Sequence, residues 1–334
     1  MQDIAEAAGV SLATVDRSLN GRGRVSKRTL DHVLETAQRL GYATLVDRIA
    51  PANQHCFDIF VPRSTNAFLR LLTDSIEQEA RRNADSMLVR MHPFEDFKPD
   101  ILAAALDDIE HSDGVAMIAP EHPSVREAVR GLASRNIPIA TLVTEVFNIG
   151  SIGYVGIDNR AAGRLAGQLV GRLVGDRDGA VLLFLGSRNY RGHEEREIGF
   201  RDIIGEEFPR LEIIDVSDIR DNIASAEAAT RRHLEARDDI VGIYNLAAGN
   251  RGIAAALAEC PRTPKVVFVG HELTEPSRKL LRDNIMDVAI DQDPRGEARE
   301  LLALLLAQAR GQRVAPPDLI PIQPIFRENL PSCT

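Results

Sequence analysis

Apolar runs of strand length alternate with amphipathic helical segments over most of this chain, and no other feature restricts its fold as strongly. The runs lie at 57–62, 86–91, 114–120, 137–143, 181–186, 240–245, 265–270 and 286–290. Between them, single apolar stripes with helical spacing recur, as at Leu69, Leu72 and Ile76. Strands that are apolar throughout are typical of parallel sheets covered by helices on both faces. The chain has more strand–helix units than a single sheet usually contains. We therefore predict two α/β lobes with a cleft between them.

Polar side chains follow most of the predicted strands. In open α/β sheets, ligands bind beyond the carboxyl ends of the strands. The side chains at those places are Asn66, Asp158, Arg191, Arg196, Asn245, His271, Glu272 and Gln292. Most of them donate or accept hydrogen bonds, which is how a protein holds a polyhydroxylated ligand.

The first part of the chain has a different texture, with three short helical patterns. The first, at 2–8, stops at Gly9, and Ser11 then caps a second helix with Leu12, Val15 and Leu19 on one side. A third helix is capped by Ser26 and ends at Gly41. Three short helices with a tight glycine turn between the first two predict a helix-turn-helix.

Composition and charge narrow the class of protein. The net charge of −9 argues against a protein that coats nucleic acid over its whole surface, so DNA binding has to be local. Cys56, Cys260 and Cys333 are widely separated and form no CxxC pair, which argues against disulfides and zinc. The chain has no apolar run long enough to span a membrane, and its first residues are partly acidic. We expect a cytoplasmic protein without membrane attachment, metal or cofactor.

The segment VSLATVDRSLNGRGRVS at 10–26, together with LGY at 40–42, resembles the helix-turn-helix signature of the lactose-repressor family of transcription regulators. A second helix of this kind enters the major groove, where Arg17 reaches guanine or phosphate. The resemblance makes Leu12 and Ala13 base-reading positions. Asp16 departs from the family, which usually has a small hydroxyl residue there. The residues expected to face DNA are Ser11, Leu12, Ala13, Thr14, Asp16, Arg17, Asn20, Arg22 and Arg24.

The rest of the chain resembles the same family's effector domain, which is itself similar to periplasmic sugar-binding proteins. Motifs that match include GIDNRAAGRLAG at 156–167, YNLAAGNRG at 244–252 and IDQDP at 290–294. The resemblance implies a sugar or polyol effector. It implies effector contacts at Asn66, Phe68, Asp158, Arg196, Asn245, Glu272 and Gln292. Arg191 is also expected to contact the effector, but only because it follows a predicted strand.

Each of these residues also has a purely structural interpretation. Asp158 precedes a helix and would serve as its cap. Arg196 stands among glutamates with which it would pair on its own helix, and Phe68 would belong to the core. Asn245 and Gln292 would satisfy loop backbone groups. The sequence leaves both interpretations open for each.

The predicted organisation is an α/β chain that begins with an all-α domain. Residues 1–45 form the helix-turn-helix domain, 46–55 form a linker, and 56–330 form a two-lobed, periplasmic-binding-protein-like domain with parallel sheets. Lobe 1 covers about 56–157 plus 291–315, and lobe 2 about 158–290 plus 316–330. Family members usually have a hinge helix with a wedging leucine in the linker. Pro51 stands near that position and ends a helix instead.

These features predict a repressor that binds operator DNA and responds to a small effector, with no enzymatic activity. A homodimer is expected because family operators are pseudo-palindromic, and a dimer is favoured over a tetramer because residues 329–334 carry no leucine heptads. The alternative is a sugar-binding receptor without DNA function. An enzyme lacks support because GNRG at 249–252 has no phosphate-loop lysine and no nucleophile motif occurs.

Overall fold

The computed structural model describes most of the chain. The described residues are 1–20, 26, 29, 32–33, 36–37, 54–64, 66–96, 98–186, 189–217, 219, 222–260, 264–312 and 315–332, without the side chains of 17–20. The chain divides into two compact units. One is Met1–Cys56 with Ala80–Val89, and the other is Phe57–Glu79 with Arg90–Thr334.

The first unit opens with two short helices, α1 (Gln2–Ala8) and α2 (Leu12–Asn20). Gly9 ends α1 with a φ of 64°, a left-handed conformation that glycine adopts without strain. The Ser11 hydroxyl accepts a hydrogen bond from the Thr14 backbone N–H at 3.1 Å, as predicted for a helix cap. One apolar cluster unites this region and contains Ile4, Ala5, Ala8, Val15, Val33 and Ala37.

The predicted third helix and the linker fall largely outside the described residues. Residues 29, 32–33 and 36–37 are helical, and the Ser26 hydroxyl accepts from the Thr29 N–H at 3.2 Å. Of the linker predicted at 46–55, only residues 54 and 55 are described. The boundaries at 45 and 55 therefore stay predictions.

A five-stranded sheet forms the core of the first lobe, in the order β2-β1-β3-β4-β5. Its strands are β1 (His55–Arg63), β2 (Met87–Glu95), β3 (Gly114–Met117), β4 (Ile139–Leu142) and β5 (Gly153–Val155). Strand β3 pairs in parallel with β1 and β4, and β4 pairs in parallel with β5. All residues of β3 and β4 are buried, because helices cover the sheet.

A six-stranded sheet forms the core of the second lobe, in the order β11-β10-β9-β8-β6-β7. Its strands are β6 (Gly179–Phe184), β7 (Leu211–Val216), β8 (Ile240–Asn245), β9 (Val267–His271), β10 (Val288–Asp291) and β11 (Gln323–Ile325). Neighbouring strands from β7 to β10 are parallel, whereas β10 and β11 are antiparallel. The prediction of parallel sheets is thus confirmed, and β11 adds an antiparallel strand at the edge of the second sheet.

The helices that follow the strands cover both sheets. They are α3 (Ala67–Arg82), α4 (Pro99–Asp107), α5 (Pro123–Ser134), α6 (Asn159–Val174), α7 (Arg191–Glu207), α8 (Ile223–Ala236), α9 (Asn250–Glu259), α10 (Glu275–Arg282) and α11 (Pro294–Ala309). Although α11 follows a strand of the second sheet, it packs on β3, β4 and β5 of the first. A short 3₁₀ helix, Arg327–Asn329, comes after β11.

Helices α6 and α7 lie unusually close together because glycine faces the partner helix. A Cβ at Gly163 would overlap the backbone carbonyl of Arg196, and a Cβ at Gly199 would overlap that of Arg160. The close approach brings the first turn of α6 beside the first turns of α7.

The two sheets begin with the same strand order, which determines where a site can form. In each sheet, the first strand along the chain lies between the second and the third: β1 lies between β2 and β3, and β6 lies between β7 and β8. The helical connections on the two sides of that first strand therefore run in opposite directions. Such a switch point leaves a crevice beyond the carboxyl ends of the strands. The crevices lie after β1 and β3 in the first lobe and after β6 and β8 in the second.

Three short strands escaped the sequence prediction. Strand β7 lies at a sheet edge and alternates buried Leu211 and Val216 with exposed Glu212 and Asp215, so it lacks a continuous apolar run. Strand β5 has only three residues. Strand β11 contains a proline, which edge strands tolerate.

Candidate functional site

Arg196 on α7 is the buried cation at the centre of the candidate effector site. Its Nε donates to the Asn159 side-chain oxygen at 2.8 Å, and one terminal nitrogen donates to the Leu246 carbonyl at 3.0 Å. That terminal nitrogen also lies 3.8 Å from Oε1 of Glu272. Since none of these partners is a glutamate of its own helix, the structure does not use Arg196 for a local ion pair.

Glu272 follows β9, and its carboxyl group is hydrogen-bonded to Gln292, which follows β10. The Gln292 amide nitrogen donates to Glu272 Oε1 at 2.6 Å. The backbone of Glu272 has a φ of 73°, a left-handed conformation that is uncommon for a non-glycine residue. Burial raises the pKa of Glu272 to about 8, and the Arg196 charge opposes that rise. The carboxyl group is therefore largely protonated at neutral pH.

Two buried oxygens of this pair have no hydrogen-bond partner within the described part of the chain. They are Oε2 of Glu272 and Oε1 of Gln292. A buried polar atom without a partner is costly and usually signals that a partner is missing. Glu297 on α11 is a further buried acid, and burial together with the nearby Glu272 raises its pKa well above the usual value.

A cavity of about 620 Å³ opens beside this group, and we call it the polar cavity. Both lobes contribute to its lining, which consists of Pro62, Asn66, Phe68, Leu69, Asp96, Ile118, Val143, Thr144, Asn159, Tyr190, Gly192, His193, Arg196, Ala247, Glu272 and Gln292.

Of the eight residues that the sequence predicts to contact the effector, five line the polar cavity and three do not. Those that line it are Asn66, Phe68, Arg196, Glu272 and Gln292. Phe68 is also buried, and Asn66 also accepts from the Phe68 N–H at 2.9 Å, at the start of α3.

The three others have structural partners instead. Asp158 is exposed and caps α6 by accepting from the Ala161 N–H at 2.9 Å. The Asn245 amide nitrogen donates to the carbonyls of Ala247 and Ala248 in its own loop, both at 3.2 Å. The Arg191 guanidinium lies 3.6 Å from the centre of the Phe147 ring and pairs with Glu195.

Several lining residues were missed at the sequence level, notably Asn159, Thr144, Tyr190 and Asp96. Asn159 is 8% exposed and bonds Arg196, whereas its neighbour Asp158 was the residue predicted. The motif at 156–167 pointed to this helix start, but not to which of its two polar residues faces the cavity.

Hydrogen bonds across the cleft join the two lobes at one end of the polar cavity. The Tyr190 hydroxyl donates to Asp96 at 2.6 Å, and the Gly192 N–H donates to the Thr144 hydroxyl at 3.0 Å. Because the partners in each pair belong to different lobes, these bonds hold the lobes closed around the cavity.

The candidate DNA-binding surface is the start of α2. Ser11, Leu12 and Ala13 are exposed there, Thr14 and Asp16 are half-buried, and Leu12 keeps 50% of its surface accessible. The side chains of Arg17 and Asn20, and all of Arg22 and Arg24, lie outside the described residues.

Two negative findings apply to the part of the chain that the structure describes. No group of three or more His, Cys, Asp or Glu side chains there is arranged to hold a metal ion. None of its helices combines the length and the apolar character needed to cross a bilayer.

Comparison with known proteins gives two family matches. Residues 57–313 match the family described as periplasmic binding protein domain, and residues 1–44 match the family described as bacterial regulatory proteins, lacI family. The chain is 29% identical to the HTH-type transcriptional regulator DegA of Bacillus subtilis over 144 residues, which is 42% of either chain. It is 26% identical to the ribose operon repressor of Halalkalibacterium halodurans over 246 residues, 73% of this chain and 70% of the repressor.

Solved structures resemble this fold at low sequence identity. A solute-binding protein from Burkholderia graminis in complex with D-arabinose has a TM-score of 0.75 at 18% identity and covers 85% of this chain and all 100% of its own. A LacI transcriptional regulator from Bacteroides fragilis, described as putative, has a TM-score of 0.72 at 18% identity, with 83% of this chain and 98% of its own covered.

Proposed function

The chain belongs to the lacI family of bacterial regulatory proteins and carries a periplasmic binding protein domain, and from that premise we propose that it is a repressor controlled by a small ligand. Its N-terminal segment binds operator DNA sequence-specifically. A sugar or polyol in the polar cavity sets the affinity for that DNA.

The observation that carries the effector half is the pair of unpartnered oxygens on the wall of the polar cavity, Glu272 Oε2 and Gln292 Oε1. A ligand hydroxyl both donates and accepts, so it satisfies the Gln292 oxygen as a donor and Glu272 Oε2 in either protonation state. Arg196 on the same wall supplies a donor for ligand oxygens, and Phe68 offers an apolar face to a sugar ring.

The DNA half rests on the exposed start of α2. Leu12 has an apolar side chain that is half accessible on a helix whose inner face, at Val15, is fully buried. A side chain of this kind suits contact with a thymine methyl group in the major groove. Ser11 and Thr14 offer hydroxyls to phosphates. Base discrimination then rests on Arg17 and on DNA shape.

Coupling follows from the two-lobed body. A ligand that binds the closed arrangement more tightly than the open one shifts the population toward closure by that difference in affinity. In a homodimer, the lobe orientation sets the spacing of two DNA-binding segments on a pseudo-palindromic operator. We also propose that the chain forms a homodimer and acts in the cytoplasm.

A receptor that only binds sugar is the weaker alternative, because residues 1–44 match a family of regulatory proteins. The named relatives are transcription regulators and not enzymes.

Binding of the purified chain to DNA from upstream of its own gene tests the proposal, with a scrambled duplex as competitor. Arg17→Ala removes specific binding and leaves ligand affinity intact. Arg196→Ala removes ligand binding and leaves operator binding intact. Ligand binding is measured by calorimetry with a sugar or polyol that raises the melting temperature of the unchanged chain. Equal affinity of the unchanged chain for both duplexes refutes the DNA half, and unchanged ligand affinity in Arg196→Ala refutes the effector half.

A further inference from the structure

A second cavity of about 610 Å³ adjoins the polar cavity and shares Asn66, Ala247 and Glu272 with it. We call it the helix-end cavity, because its lining includes first-turn residues of four helices. They are Ala67 of α3, Ile223 of α8, Asn250 and Arg251 of α9, and Pro276 and Ser277 of α10. Helix starts carry partial positive charge and backbone N–H groups without internal acceptors. Four of them around one space favour an anion.

The start of α9 is the most open of the four. Gly249 precedes it with a φ of 113°, and no side chain caps it. By contrast, a side chain accepts from a backbone N–H group at the start of each of the other three helices, namely Asn66 at α3, Asn222 at α8 and Thr274 at α10. A glycine in this conformation lets an anion approach the backbone N–H groups closely.

Two arginines line the same cavity, Arg70 on α3 and Arg251 on α9. Both are exposed, and neither guanidinium has an ion-pair or hydrogen-bond partner among the described residues. Arginines elsewhere are often paired, as Arg201 is with both Glu197 and Asp215. Two unpaired guanidinium groups beside four helix starts supply the donors that a phosphate group needs.

An independent observation comes from His271, which also lines this cavity and is completely buried. Its Nε2 lies 2.8 Å from the Tyr244 hydroxyl, while its Nδ1 has no partner in the described part of the chain. Burial and the nearby Arg196 lower the pKa of His271, so the ring is neutral. In one tautomer the Tyr244 hydroxyl donates to Nε2 and Nδ1 carries the ring proton; in the other, Nε2 donates and Nδ1 accepts. In both, Nδ1 is a buried ring nitrogen that lacks a partner, and in the first it is a donor for an anion.

The two cavities offer groups that suit different parts of one ligand. The polar cavity has the unpartnered oxygens Glu272 Oε2 and Gln292 Oε1, which suit hydroxyl groups. The helix-end cavity has the unpaired guanidinium groups of Arg70 and Arg251 and the uncapped start of α9, which suit an anion. Glu272 also lines the helix-end cavity, but its carboxyl group is largely protonated and adds little negative charge.

We propose that the effector is a phosphorylated sugar or polyol, with its hydroxyl groups in the polar cavity and its phosphate in the helix-end cavity. This inference rests on the proposed function. It adds the class of effector and a phosphate site formed by Arg70, Arg251 and the open start of α9.

Inorganic phosphate is the first probe, titrated calorimetrically into the full chain at constant ionic strength. We expect binding with a Kd on the order of 1 mM or tighter. The double variant Arg70→Gln, Arg251→Gln should weaken it at least about tenfold, since each charge-assisted bond contributes strongly. Both side chains are exposed, so the variant should fold. The matched control is Arg130→Gln on α5, an exposed arginine outside both cavities, which should leave phosphate affinity unchanged.

The second arm compares the affinities of a neutral sugar, its phosphate ester and its acid within one set. The first set is glucose, glucose 6-phosphate and gluconate, and other sugars follow in the same way. At least one phosphate ester should bind at least about tenfold more tightly than its parent sugar, and the double variant should erase that preference. Absence of phosphate binding, equal binding by the double variant, or a general preference for sugar acids overturns the phosphate site. If neutral sugars still bind and Arg196→Ala abolishes that binding, the proposed function stands alone. If no sugar of any kind binds, the proposed function fails as well.

Discussion

Replacing Gly163 by alanine tests how the fold holds Arg196 in place. Gly163 lies on α6 where α7 crosses most closely, and an added Cβ would overlap the Arg196 backbone carbonyl, which cannot rotate away. Relief requires the helices to separate. Because Asn159 on α6 bonds the Arg196 guanidinium at 2.8 Å, separation also weakens the effector site.

The size of the effect follows from two opposing contributions. Alanine is favoured over glycine inside a helix by about 1 kcal/mol. Overpacking costs about 1–3 kcal/mol, and a backbone overlap belongs at the upper end. Gly163→Ala should therefore lower the free energy of unfolding by about 2 kcal/mol. Loss of one charged hydrogen bond should weaken effector binding about tenfold.

Gly205→Ala on α7 is the matched control, because no atom lies within 4 Å of the added Cβ. Its free energy of unfolding should rise by up to about 1 kcal/mol, so the free energies of unfolding of the two variants should differ by about 3 kcal/mol. Urea unfolding followed by circular dichroism measures stability, and calorimetry measures effector affinity. If Gly163→Ala is as stable as Gly205→Ala and binds effector normally, the helix contact does not position Arg196.

Three further predictions concern single side chains. Tyr190→Phe removes the cross-lobe hydrogen bond to Asp96 and should weaken effector binding about five- to tenfold by calorimetry; an unchanged Kd would mean that this bond does not favour closure. Because the pKa of Glu272 is raised from 4.5 to about 8, its contribution to stability is complete below 4.5 and is lost as the pH rises through 8. Glu272→Gln should therefore flatten the fall in melting temperature over that window, and an identical pH profile would refute it. Leu12→Ala should weaken operator binding about tenfold in a gel shift while changing stability by less than about 0.5 kcal/mol, and Val15→Ala should instead destabilise the first unit.

Buried strands were predictable because their signal is local. Strand β8, for example, is buried at every residue and appears in the sequence as an unbroken apolar run. Strand β7 gives no such run, because only one of its sides meets a partner strand and charged residues interrupt it. The sheet in which each strand lies depends on long-range packing, as for α11, which returns to the first lobe.

The site was predictable where a residue's place after a strand decides its direction. Glu272 and Gln292 directly follow parallel strands, and the sequence therefore brings them to one edge. The choice between Asp158 and Asn159 depends on how α6 is rotated at its first turn, which the close packing on α7 decides. Tyr190 and Asp96 meet only because two lobes close, and no sequence pattern records that contact.

The central claim is that ligand binding in the polar cavity changes operator affinity. Fluorescence anisotropy of labelled DNA from upstream of the gene measures this directly, with the full chain titrated in the absence and presence of the sugar, polyol or phosphate ester that most raises its melting temperature. The account predicts a preference for this DNA over a scrambled duplex and a ligand-dependent change in Kd of about fivefold or more. An operator Kd that is the same at zero and saturating ligand would contradict it.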